Sequence, residues 1–468
     1  MAFMNDGRVA PEIISELLVK YDQAVPRYTS YPTVPHWNGI SQLDWEEAID
    51  CCLREHSKED AEISLYVHVP YCRSLCSFCG CTRVISRDPS KGAPFVDAIL
   101  RELDLKIQRF HKNGTRLNLK ELHLGGGTPT WLPPMLLEKL ILGIQARFTA
   151  HSQKMGFSKR DISIEVDPRT FTLEHARSMQ KCRVTRVSLG VQDFNTETLK
   201  AIKRVQSYDL VAEAVTILRD NGISSLNFDL VYGLPYQTQV TMLETITKVK
   251  ELKPARIALY SYAHIPQVKL AQQGVEKHGL PTPCEKRGLY ELARRELLRG
   301  GYFEVGMDHF ALPSDELYLA LQLGRLHRNF MGYTVQNTQI LLGLGPSSLS
   351  DVWFAFSQNE KNVEKWLAQI ERGEITPQGG HLLNDDDILR RKIILDLMCK
   401  YEASIEEGQW ANAASSEVVK DDLLVWDNKR KVAIITTKGR PFVRNICSEF
   451  DGYLRKPTNK QVTYSRAI

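Results

Sequence analysis

YVHVPYCRSLCSFCGC, residues 66–81, decides how the rest of this 468-residue chain is interpreted. The start of the stretch predicts the end of a strand, and the loop after it places Cys72, Cys76 and Cys79 at CxxxCxxC spacing, with Cys81 two residues further on. Thiolates are soft ligands suited to zinc or to an iron–sulfur cluster. Three close ligands favour a cluster, because a closed zinc site takes four and usually draws them as two separated pairs. Since Cys81 would complete a set of four, the spacing alone leaves zinc and incidental thiols open.

The same loop resembles that of the radical SAM superfamily, in which three cysteines hold a 4Fe-4S cluster and S-adenosylmethionine (SAM) binds the fourth iron. The longer form CxxxCxxCxC, with Tyr66, His68, Pro70 and Phe78 around it, is similar to the oxygen-independent coproporphyrinogen III oxidases. The similarity runs nearly end to end and includes PRYTSYPT at residues 26–33, GMDHF at 306–310 and RNIC at 444–447. By this resemblance the first three cysteines of the loop are the cluster ligands, and Cys81 stays outside the set.

The composition indicates a multi-part enzyme without a strong charge bias. Lys plus Arg number 60 against 56 for Asp plus Glu, a net charge of +4, which is too mild to imply nucleic acid. Ten cysteines are too sparse for a disulfide scaffold, and their clustering favours metal binding in a reducing compartment. We expect the remaining six to be buried apolar fillers: Cys51, Cys52, Cys182, Cys284, Cys399 and Cys447.

Neither a secretion signal nor a membrane span is visible in the sequence. The first residues, MAFMNDGRVAPEIISELL, lack the apolar centre of a signal peptide. No run approaches the roughly 20 apolar residues of a membrane helix. We therefore expect a cytoplasmic protein with no membrane and no nucleic-acid partner.

Short apolar runs alternate with amphipathic helical stretches over residues 63–262. The predicted strands are 64–69, 119–126, 162–167, 187–192, 226–233 and 256–262. The predicted helices are 94–110, 134–149, 173–181, 208–221 and 238–252. Six strands with helical crossovers predict an α/β fold with a parallel sheet, which curls into a partial (β/α)6 TIM-like barrel. Chemistry in such sheets gathers at the carboxyl ends of the strands.

The regions outside the barrel divide the chain into four predicted parts. After a helix at 11–21, PRYTSYPTVPHW (residues 26–37, the strap) is forced into extended or turn backbone by its prolines. Beyond residue 263 we expect a helix at 314–325, an irregular segment at 327–336, a Gly-rich turn at 341–350, and then helices, a hairpin and a last helix at 441–454. The parts are 1–60, an N-terminal helix and substrate-proximal strap; 61–265, the barrel; 266–380, a barrel extension with substrate-site elements; and 381–468, a small helical, winged-helix-like domain.

The strap has two open interpretations. It has no core of its own and must lie on something, so it is either a structural tie or, as the resemblance implies, a segment that approaches the active site and substrate. A winged helix often means DNA, but fold analogy is weak evidence, and the cysteine loop already supplies a function.

Polar and glycine residues at the predicted strand ends are the candidate cofactor contacts. Gly126, Gly127 and Thr128 follow the second strand, where glycines let backbone amides approach a ligand closely. Glu165 ends the third strand, and a carboxylate in a barrel mouth needs a partner, either a ligand or Arg169.

The resemblance assigns these positions to two SAM molecules, although nothing in the spacing shows two. The residues implied for the cluster-bound SAM are Tyr66, Gly126, Glu165 and Leu349, the last with a change of aliphatic type. The residues implied for a second SAM are Phe78, Gly127, Thr128, Gln192, Arg204, Asp229 and Ala263, with Arg204 placed on the helix after the fourth strand.

The reaction implied by the resemblance is the oxidative decarboxylation of coproporphyrinogen III to protoporphyrinogen IX in porphyrin and haem biosynthesis. A 5′-deoxyadenosyl radical takes hydrogen from two propionates in turn, and each becomes a vinyl group. The cofactors carry the chemistry, so no catalytic side chain is predicted. The expected partners are the porphyrinogen and a reduced electron donor such as flavodoxin or ferredoxin, and the expected state is a monomer.

A substrate with four propionates on an apolar ring system calls for arginines beside apolar surface. The candidates are Arg27 in the strap, and His327 and Arg328 in LHRNF. Three alternatives stay open: a haem-trafficking relative, which lacks the last cysteine of the loop and the PRYTSYPT segment; a radical SAM enzyme that opens haem; and a zinc-stabilised DNA-binding protein.

Overall fold

The structure, a computed structural model, describes residues 11–56, 60–111, 114–149, 161–454 and 464–466. Residues 1–10, on which the expectation about a signal peptide partly rests, lie outside them. The N-terminal helices are α1 (Pro11–Tyr21) and α2 (Gln42–His56), with the strap between them. Within the described residues, no helix is long and apolar enough to cross a membrane.

From residue 60 the chain alternates strands and helices as the apolar runs predict. In order, the elements are β1 (Asp60–Val69), β2 (Tyr71–Cys72), β3 (Val84–Ile85), α3 (Gly92–His111), β4 (Arg116–Gly126), α4 (Pro134–Thr149), β5 (Asp161–Val166), α5 (Leu173–Lys181), β6 (Arg186–Gln192), α6 (Thr196–Ala201), α7 (Tyr208–Asp220), β7 (Ser225–Tyr232), α8 (Gln239–Leu252) and β8 (Arg256–Ser261). All six predicted strands and all five predicted helices are present, and the short helix α6 is additional.

The chain after β8 is more regular than its sequence predicts. In order, its elements are α9 (Pro283–Arg299), β9 (Phe303–Val305), β10 (His309–Ala311), α10 (Glu316–Gln322), β11 (His327–Asn329), β12 (Gly332–Thr334), β13 (Ile340–Leu344), β14 (Leu349–Asp351), β15 (Ala355–Gln358), α11 (Val363–Glu371) and β16 (Gly379–Leu382). The segment predicted to be irregular is the hairpin of β11 and β12.

The barrel strands belong to one twelve-stranded sheet in the order β16-β15-β14-β13-β1-β4-β5-β6-β7-β8-β10-β9. The strands from β13 to β8 are parallel, and the others extend the two edges antiparallel. Side chains from β4, β5, β6, β7 and β8 line one internal cavity of about 480 Å³, so the sheet curls around it. This is the partial TIM-like barrel that the sequence predicts, with one further parallel strand.

The predicted Gly-rich turn at 341–350 is wrong in its first half, which belongs to β13, a buried strand that pairs with β1 from Ile63↔Ile340 to Val67↔Leu344. The turn follows it at residues 345–348, where Gly345 has φ = +91°, whereas Gly343 serves close packing. A Cβ on Gly343 would lie 2.3 Å from the carbonyl oxygen of Leu349, on the neighbouring strand β14. Only glycine leaves room for that approach.

The C-terminal domain consists of helices and a three-stranded antiparallel sheet in the order β17-β19-β18. Its elements are α12 (Asp385–Lys400), β17 (Glu402–Ser404), α13 (Glu407–Ala414), α14 (Glu417–Lys420), β18 (Leu424–Asp427), β19 (Val432–Ile435) and α15 (Val443–Ser448). The helices and hairpin fit the winged-helix-like prediction, but the last helix ends at Ser448, not at residue 454.

A second hydrophobic core joins the strap to the C-terminal domain. Tyr28 and Tyr31 of the strap are buried in it, together with Ile446 of α15 and with Val305 of the barrel extension. The first core lies between the barrel sheet and its helices. The second core contains residues from three of the four predicted parts. The four-part division therefore stays a prediction.

The strap is pinned by Arg444 of α15. Arg444 Nε donates to the carbonyl of Pro26 at 3.0 Å, and Nη2 donates to the carbonyl of Val25. The same side chain also donates to the carbonyls of Ser465 at 3.0 Å and Arg466 at 2.8 Å. One buried guanidinium therefore ties the strap and residues 465–466 to the C-terminal domain.

We predict that Arg444→Met lowers the free energy of unfolding by about 2–4 kcal/mol, because buried carbonyls lose their donors. Urea denaturation measures the loss, and limited proteolysis should show faster cleavage within the strap. Arg295→Met, which removes an exposed arginine whose side chain is 58% accessible, is the control. Equal protection of the strap in both variants would contradict this role for Arg444.

Candidate functional site

The cysteine loop leaves the carboxyl end of β1, in the middle of the parallel sheet. Its two ends are held together by the β2–β3 pair, in which Ser86 N donates to the carbonyl of Cys72 at 2.9 Å. The base of the loop is joined to the next strand, because Gly127 N donates to the carbonyl of Val69 at 2.7 Å. The sulfurs therefore sit at the edge of the sheet where the prediction places the chemistry.

All four cysteines of the loop line a cleft of about 720 Å³, called here the cluster cleft. Cys72 Sγ lies 3.4 Å from the hydroxyl of Thr128. A hydrogen bond from Cys81 lowers the pKa of Cys79 to about 6, and burial raises the pKa of Cys72 to about 11. In the described part of the chain, no three His, Cys, Asp or Glu side chains converge closely enough to enclose a single metal ion.

Two arginines surround Cys76. Arg169 Nη2 lies 3.5 Å and Arg204 Nη1 lies 3.7 Å from its sulfur, and both guanidinium groups also contact Asp167. Burial opposes ionisation of Asp167, but Arg204 and Arg169 outweigh it and hold the pKa of the carboxyl below its usual range. The two guanidinium groups place positive charge beside the sulfur of Cys76, partly offset by Asp167.

The structure corrects two details of the sequence interpretation at this point. Arg204 follows α6 rather than lying on a helix, and its Nη2 donates to the carbonyl of Gly190 at 2.5 Å. Arg169, the alternative partner for Glu165, binds Asp167 instead. Asp167, the first residue after β5, is nearer to both arginines than Glu165 is.

Glu165 projects into the cleft beside the glycine turn. Its Oε2 accepts a hydrogen bond from Gly126 N at 3.1 Å, and its Oε1 lies 3.2 Å from His123 Nε2. The side chain remains 41% exposed, so part of the carboxylate is available to a ligand. Gly126 has φ = +103°, where side chains are disfavoured, and a Cβ there would lie 2.5 Å from His68 Nδ1.

Gln192, the last residue of β6, and Asp229, within β7, line the same cleft. Asp229 accepts hydrogen bonds from Ser188 Oγ at 2.6 Å and from Asn227 Nδ2 at 3.0 Å. Burial nevertheless raises the pKa of Asp229 to about 7. A carboxyl that titrates near neutrality in a cleft is typical of a functional site.

The internal cavity of about 480 Å³, called here the inner cavity, is continuous with the cluster cleft, since both are lined by Phe78, Glu165, Gln192 and Asp229. Ala263 lines the inner cavity, as its prediction as a cofactor contact requires.

Arg27 of the strap also lines the inner cavity, together with His309 of GMDHF. Arg27 Cζ lies 5.9 Å from the ring centroid of Tyr260, and its Nη2 lies 3.7 Å from Asp308 Oδ2. Asp308 Oδ1 is 2.6 Å from His309 Nδ1, and His309 also lines the inner cavity. The strap therefore both ties the N-terminal region down and brings a cation to the cavity.

Four predicted site residues lie outside the linings of the cleft and the inner cavity. Tyr66 is buried beneath them, with its ring stacked on His123. His327 is a buried imidazole whose pKa falls to about 4 through burial and then the charge of Arg391. Arg328 stacks on Tyr333 with Cζ 4.5 Å from the ring centroid, and its Nη2 donates to the carbonyl of Arg27 at 3.4 Å. Arg328 supports the strap rather than facing the cavity.

Leu349 is the predicted site residue that the geometry favours least. It begins β14, pairs with Gln358 of β15, and packs against the cluster of Trp37, Phe356 and Leu383. Leu349 is absent from the linings of both the cluster cleft and the inner cavity, so its predicted cofactor contact rests on the resemblance alone.

The sequence interpretation gave no role to Asp167, Asp308 or His309. The signal for the last two was present, because GMDHF is one of the segments that carry the resemblance. Asp167 gave no signal of its own, since its pairing with Arg204 joins residues 37 positions apart.

The cleft has the donors that a 4Fe-4S cluster requires. Each cysteine of such a cluster binds a different iron, so three thiols that face one cleft without converging on a point fit a cluster better than a single zinc. The backbone amides of the glycine turn, Glu165 and Asp229 add the hydrogen-bonding groups that a SAM molecule beside the cluster would need.

Comparisons with known proteins agree on one family. The sequence profile of the Radical SAM superfamily matches residues 66–249. An oxygen-independent coproporphyrinogen III oxidase of Pseudomonas aeruginosa is 34% identical over 467 residues, covering 97% of this chain and 98% of that one. The protein of the same name from Paracoccus denitrificans is 37% identical over 450 residues, covering 94% and 96%. The solved structure of the Escherichia coli coproporphyrinogen III oxidase HemN, described as a radical SAM enzyme, superposes with a TM-score of 0.83 at 34% identity and covers 94% of this chain and 99% of that one.

We predict that Asp229 makes stability depend on pH in a direction opposite to that of an ordinary carboxylate. With a folded pKa of about 7, Asp229 keeps a proton that the unfolded chain has lost. Its contribution to the free energy of unfolding is therefore full below about pH 4 and disappears as the pH rises through 7. Between pH 5 and pH 8 this amounts to roughly 2.5 kcal/mol.

Urea denaturation of the cluster-free protein at both pH values measures this dependence. The Asp229→Asn variant should lose this part of the pH dependence of stability. The Asp209→Asn variant, at the exposed start of α7, should keep it. Parallel stability curves for wild type and Asp229→Asn would show that Asp229 is not protonated near neutral pH.

Proposed function

This chain belongs to the oxygen-independent coproporphyrinogen III oxidases of the radical SAM superfamily, and we propose that its cluster cleft and inner cavity together form the active site. The enzyme is an oxidoreductase that converts coproporphyrinogen III to protoporphyrinogen IX by oxidative decarboxylation of two propionates to vinyl groups. The observation that carries the proposal is the continuity of the two spaces, one lined by the cysteines and the other by Arg27.

Cys72, Cys76 and Cys79 would hold the 4Fe-4S cluster, with Cys81 outside the ligand set. When bound, the cluster and SAM supply the one-electron chemistry that generates the 5′-deoxyadenosyl radical. Arg169 and Arg204 place positive charge beside Cys76 and so offset part of the negative charge that three thiolates bring to the cleft.

The glycine turn and Glu165 would bind the cluster-bound SAM, with the amide of Gly126 and the free part of the carboxylate facing the ligand. Tyr66 and Leu349 complete that set only by resemblance. A second SAM is a further proposal, and the residues that support it line the cleft or the inner cavity: Phe78, Gly127, Thr128, Gln192, Arg204, Asp229 and Ala263.

Aromatic rings give the inner cavity apolar surface for a tetrapyrrole. Tyr260 and Tyr333 line it, at ring centroid distances of 6.0 and 5.5 Å from His309. Arg27 would bind a propionate of the substrate, since an arginine fork matches a carboxylate and its present carboxylate partner is 3.7 Å away, beyond hydrogen-bonding distance.

The remaining parts of the proposal concern the surroundings of the enzyme. Arg73 and Arg87 are exposed at the rim of the cleft, where they would attract an anionic reduced electron donor such as flavodoxin or ferredoxin. We further propose that the enzyme is a cytoplasmic monomer.

Anaerobic turnover is the direct test. With iron loading, SAM and a strong reductant, the wild type should form protoporphyrinogen IX together with 5′-deoxyadenosine, both identified by mass. Cys76→Ser should lose the brown absorbance and all product, because two ligands do not retain the cluster. Cys284→Ser, an exposed cysteine on α9, is the control and should match wild type.

Three other results would each contradict the proposed function. Ring-opened products from haem would indicate a haem-degrading enzyme. Tight haem binding without turnover would indicate a trafficking protein. Bound zinc with a colourless protein would indicate the zinc-stabilised alternative.

We predict that Arg27→Ala raises the KM for coproporphyrinogen III roughly ten- to hundredfold, the cost of losing one charge-assisted hydrogen bond. Reductive cleavage of SAM without substrate should be unchanged, and Arg27→Lys should recover part of the affinity. Unchanged turnover together with unchanged apparent affinity in Arg27→Ala would rule out this role.

A further inference from the structure

A third cavity of about 950 Å³ lies between the barrel and the C-terminal domain. We call it the junction cavity. Arg287 of α9 lines it on the barrel side, and Tyr401, Arg440 and Arg444 line it on the side of the C-terminal domain. None of the four loop cysteines lines it, so a ligand there is separated from the chemistry of the cluster cleft.

The junction cavity and the inner cavity are neighbours that share Arg27 and Ser261. The partition between them is the ion pair of Arg27 with Asp308, at 3.7 Å. Asp308 lines the junction cavity, whereas the next residue, His309, lines the inner cavity. A molecule seated beside Arg27 in the inner cavity can therefore extend side chains past Arg27 into the junction cavity.

Positive charge is in excess around this partition. Burial, and then the charge of Arg27, lowers the pKa of Lys286 to about 8, and the same two causes in the same order lower the pKa of Arg444. The hydrogen bonds of both side chains go to backbone carbonyls or a hydroxyl rather than to carboxylates: Lys286 donates to Tyr262 O, and Arg444 to the strap and residues 465–466. Cations that lower one another's pKa in this way are stabilised in their charged form by a bound anion.

The reaction leaves two carboxylates of its substrate untouched. Coproporphyrinogen III has four propionates, of which two lose carbon dioxide, so the other two must be held away from the reacting centre. The cluster cleft is not open to them, because on the proposed function the cluster and SAM occupy it. The junction cavity suits them better, since seven cationic side chains line it against the four carboxylates of Glu291, Glu304, Asp308 and Glu402.

We propose, resting on the function proposed above, that the junction cavity is a carboxylate-binding site that holds the two propionates which the reaction leaves intact. Arg27 stands at the boundary, and the tetrapyrrole ring spans from the inner cavity across the partition. The pair of retained carboxylates belongs to substrate and product alike, so the site binds both.

Arg287 is the side chain whose substitution tests this site most directly. It is largely buried, its Cζ lies 4.9 Å from the ring centroid of Tyr290, and its hydrogen bond to Glu291 uses only Nη2. Nε is buried and has no hydrogen-bond partner among the described residues. The guanidinium therefore keeps donors beyond those that the ion pair uses. On the wall contributed by the C-terminal domain, Arg440 lies over the ring of Tyr401 at 4.7 Å.

The test uses the reconstituted holoenzyme under anaerobic conditions and two porphyrins as inhibitors of turnover. Coproporphyrin III carries four propionates, whereas mesoporphyrin IX carries only the retained pair. Arg287→Gln should raise the KM for coproporphyrinogen III and the inhibition constants of both porphyrins by the same factor, about tenfold. Product formed per SAM cleaved should stay as in wild type, and Arg287→Lys should give intermediate constants. Arg295→Gln, exposed on the same helix, should change nothing.

The outcomes separate this inference from the function on which it rests. A wild type that forms no protoporphyrinogen IX would remove the function and the inference together. If the wild type turns over, unchanged constants in Arg287→Gln overturn the inference alone. An effect on coproporphyrin III without one on mesoporphyrin IX also overturns it, because Arg287 would then meet only a propionate that reacts. Should Arg287→Gln fail to fold by thermal unfolding, Arg440→Gln carries the same expectation from the opposite wall.

Discussion

The pairing of β1 on both of its edges is the constraint on which the site depends. Parallel bonding to β4 on one side and to β13 on the other fixes where β1 ends, and the cysteine loop begins at that end. A loop of this size has many conformations, and closing it costs entropy. The cost falls because the bond from Gly127 to Val69 fixes the base of the loop to the sheet, and the bond from Ser86 to Cys72 holds its two ends together. Three sulfurs can then face one cleft before any iron binds.

Buried charge sets the character of each space around that loop. Asp167 lies between two arginines beside Cys76, so the cluster cleft carries compensated charge next to its sulfurs. Asp229 is buried with neutral hydrogen-bond donors only, which leaves it poised between its two protonation states. Near the strap positive charge is in excess, because Arg27, Lys286 and Arg444 have few carboxylates beside them. The arginines beside the cysteines are thus paired with Asp167, whereas Lys286 and Arg444 near the strap donate to neutral groups, which leaves positive charge there for an acidic substrate.

Local patterns predict most of the barrel, and long-range contacts account for what they miss. The six strands are visible because a strand buried on both faces reads as an apolar run. The stretch LLGLG, which covers most of β13, is predicted as a turn because glycines favour turns. In the structure Gly343 lies within the strand, where the close approach of the Leu349 carbonyl requires a glycine. That approach is set by the tertiary fold. The cysteines, the glycine turn, Glu165 and Asp229 are found from sequence because each lies on a predicted strand or shortly after one. Asp167 and Asp308 are missed because their roles come from arginines far along the chain.

The two interpretations of the strap are compatible, because the contacts that tie it down also hold the residue proposed to meet the substrate. Tying the strap down requires Arg444 to bind the carbonyls of Val25 and Pro26, and those residues immediately precede Arg27. Arg328, predicted to meet substrate, instead donates to the carbonyl of Arg27 itself. The backbone on both sides of the Arg27 Cα is thus held by guanidinium groups, which confines the freedom of Arg27 to its side chain. The Arg27 side chain lies between the carboxylate of Asp308, 3.7 Å away, and an open cavity. Because its backbone is held, it can exchange Asp308 for a substrate carboxylate without movement of the strap. The structural tie is therefore what gives the substrate contact its precision.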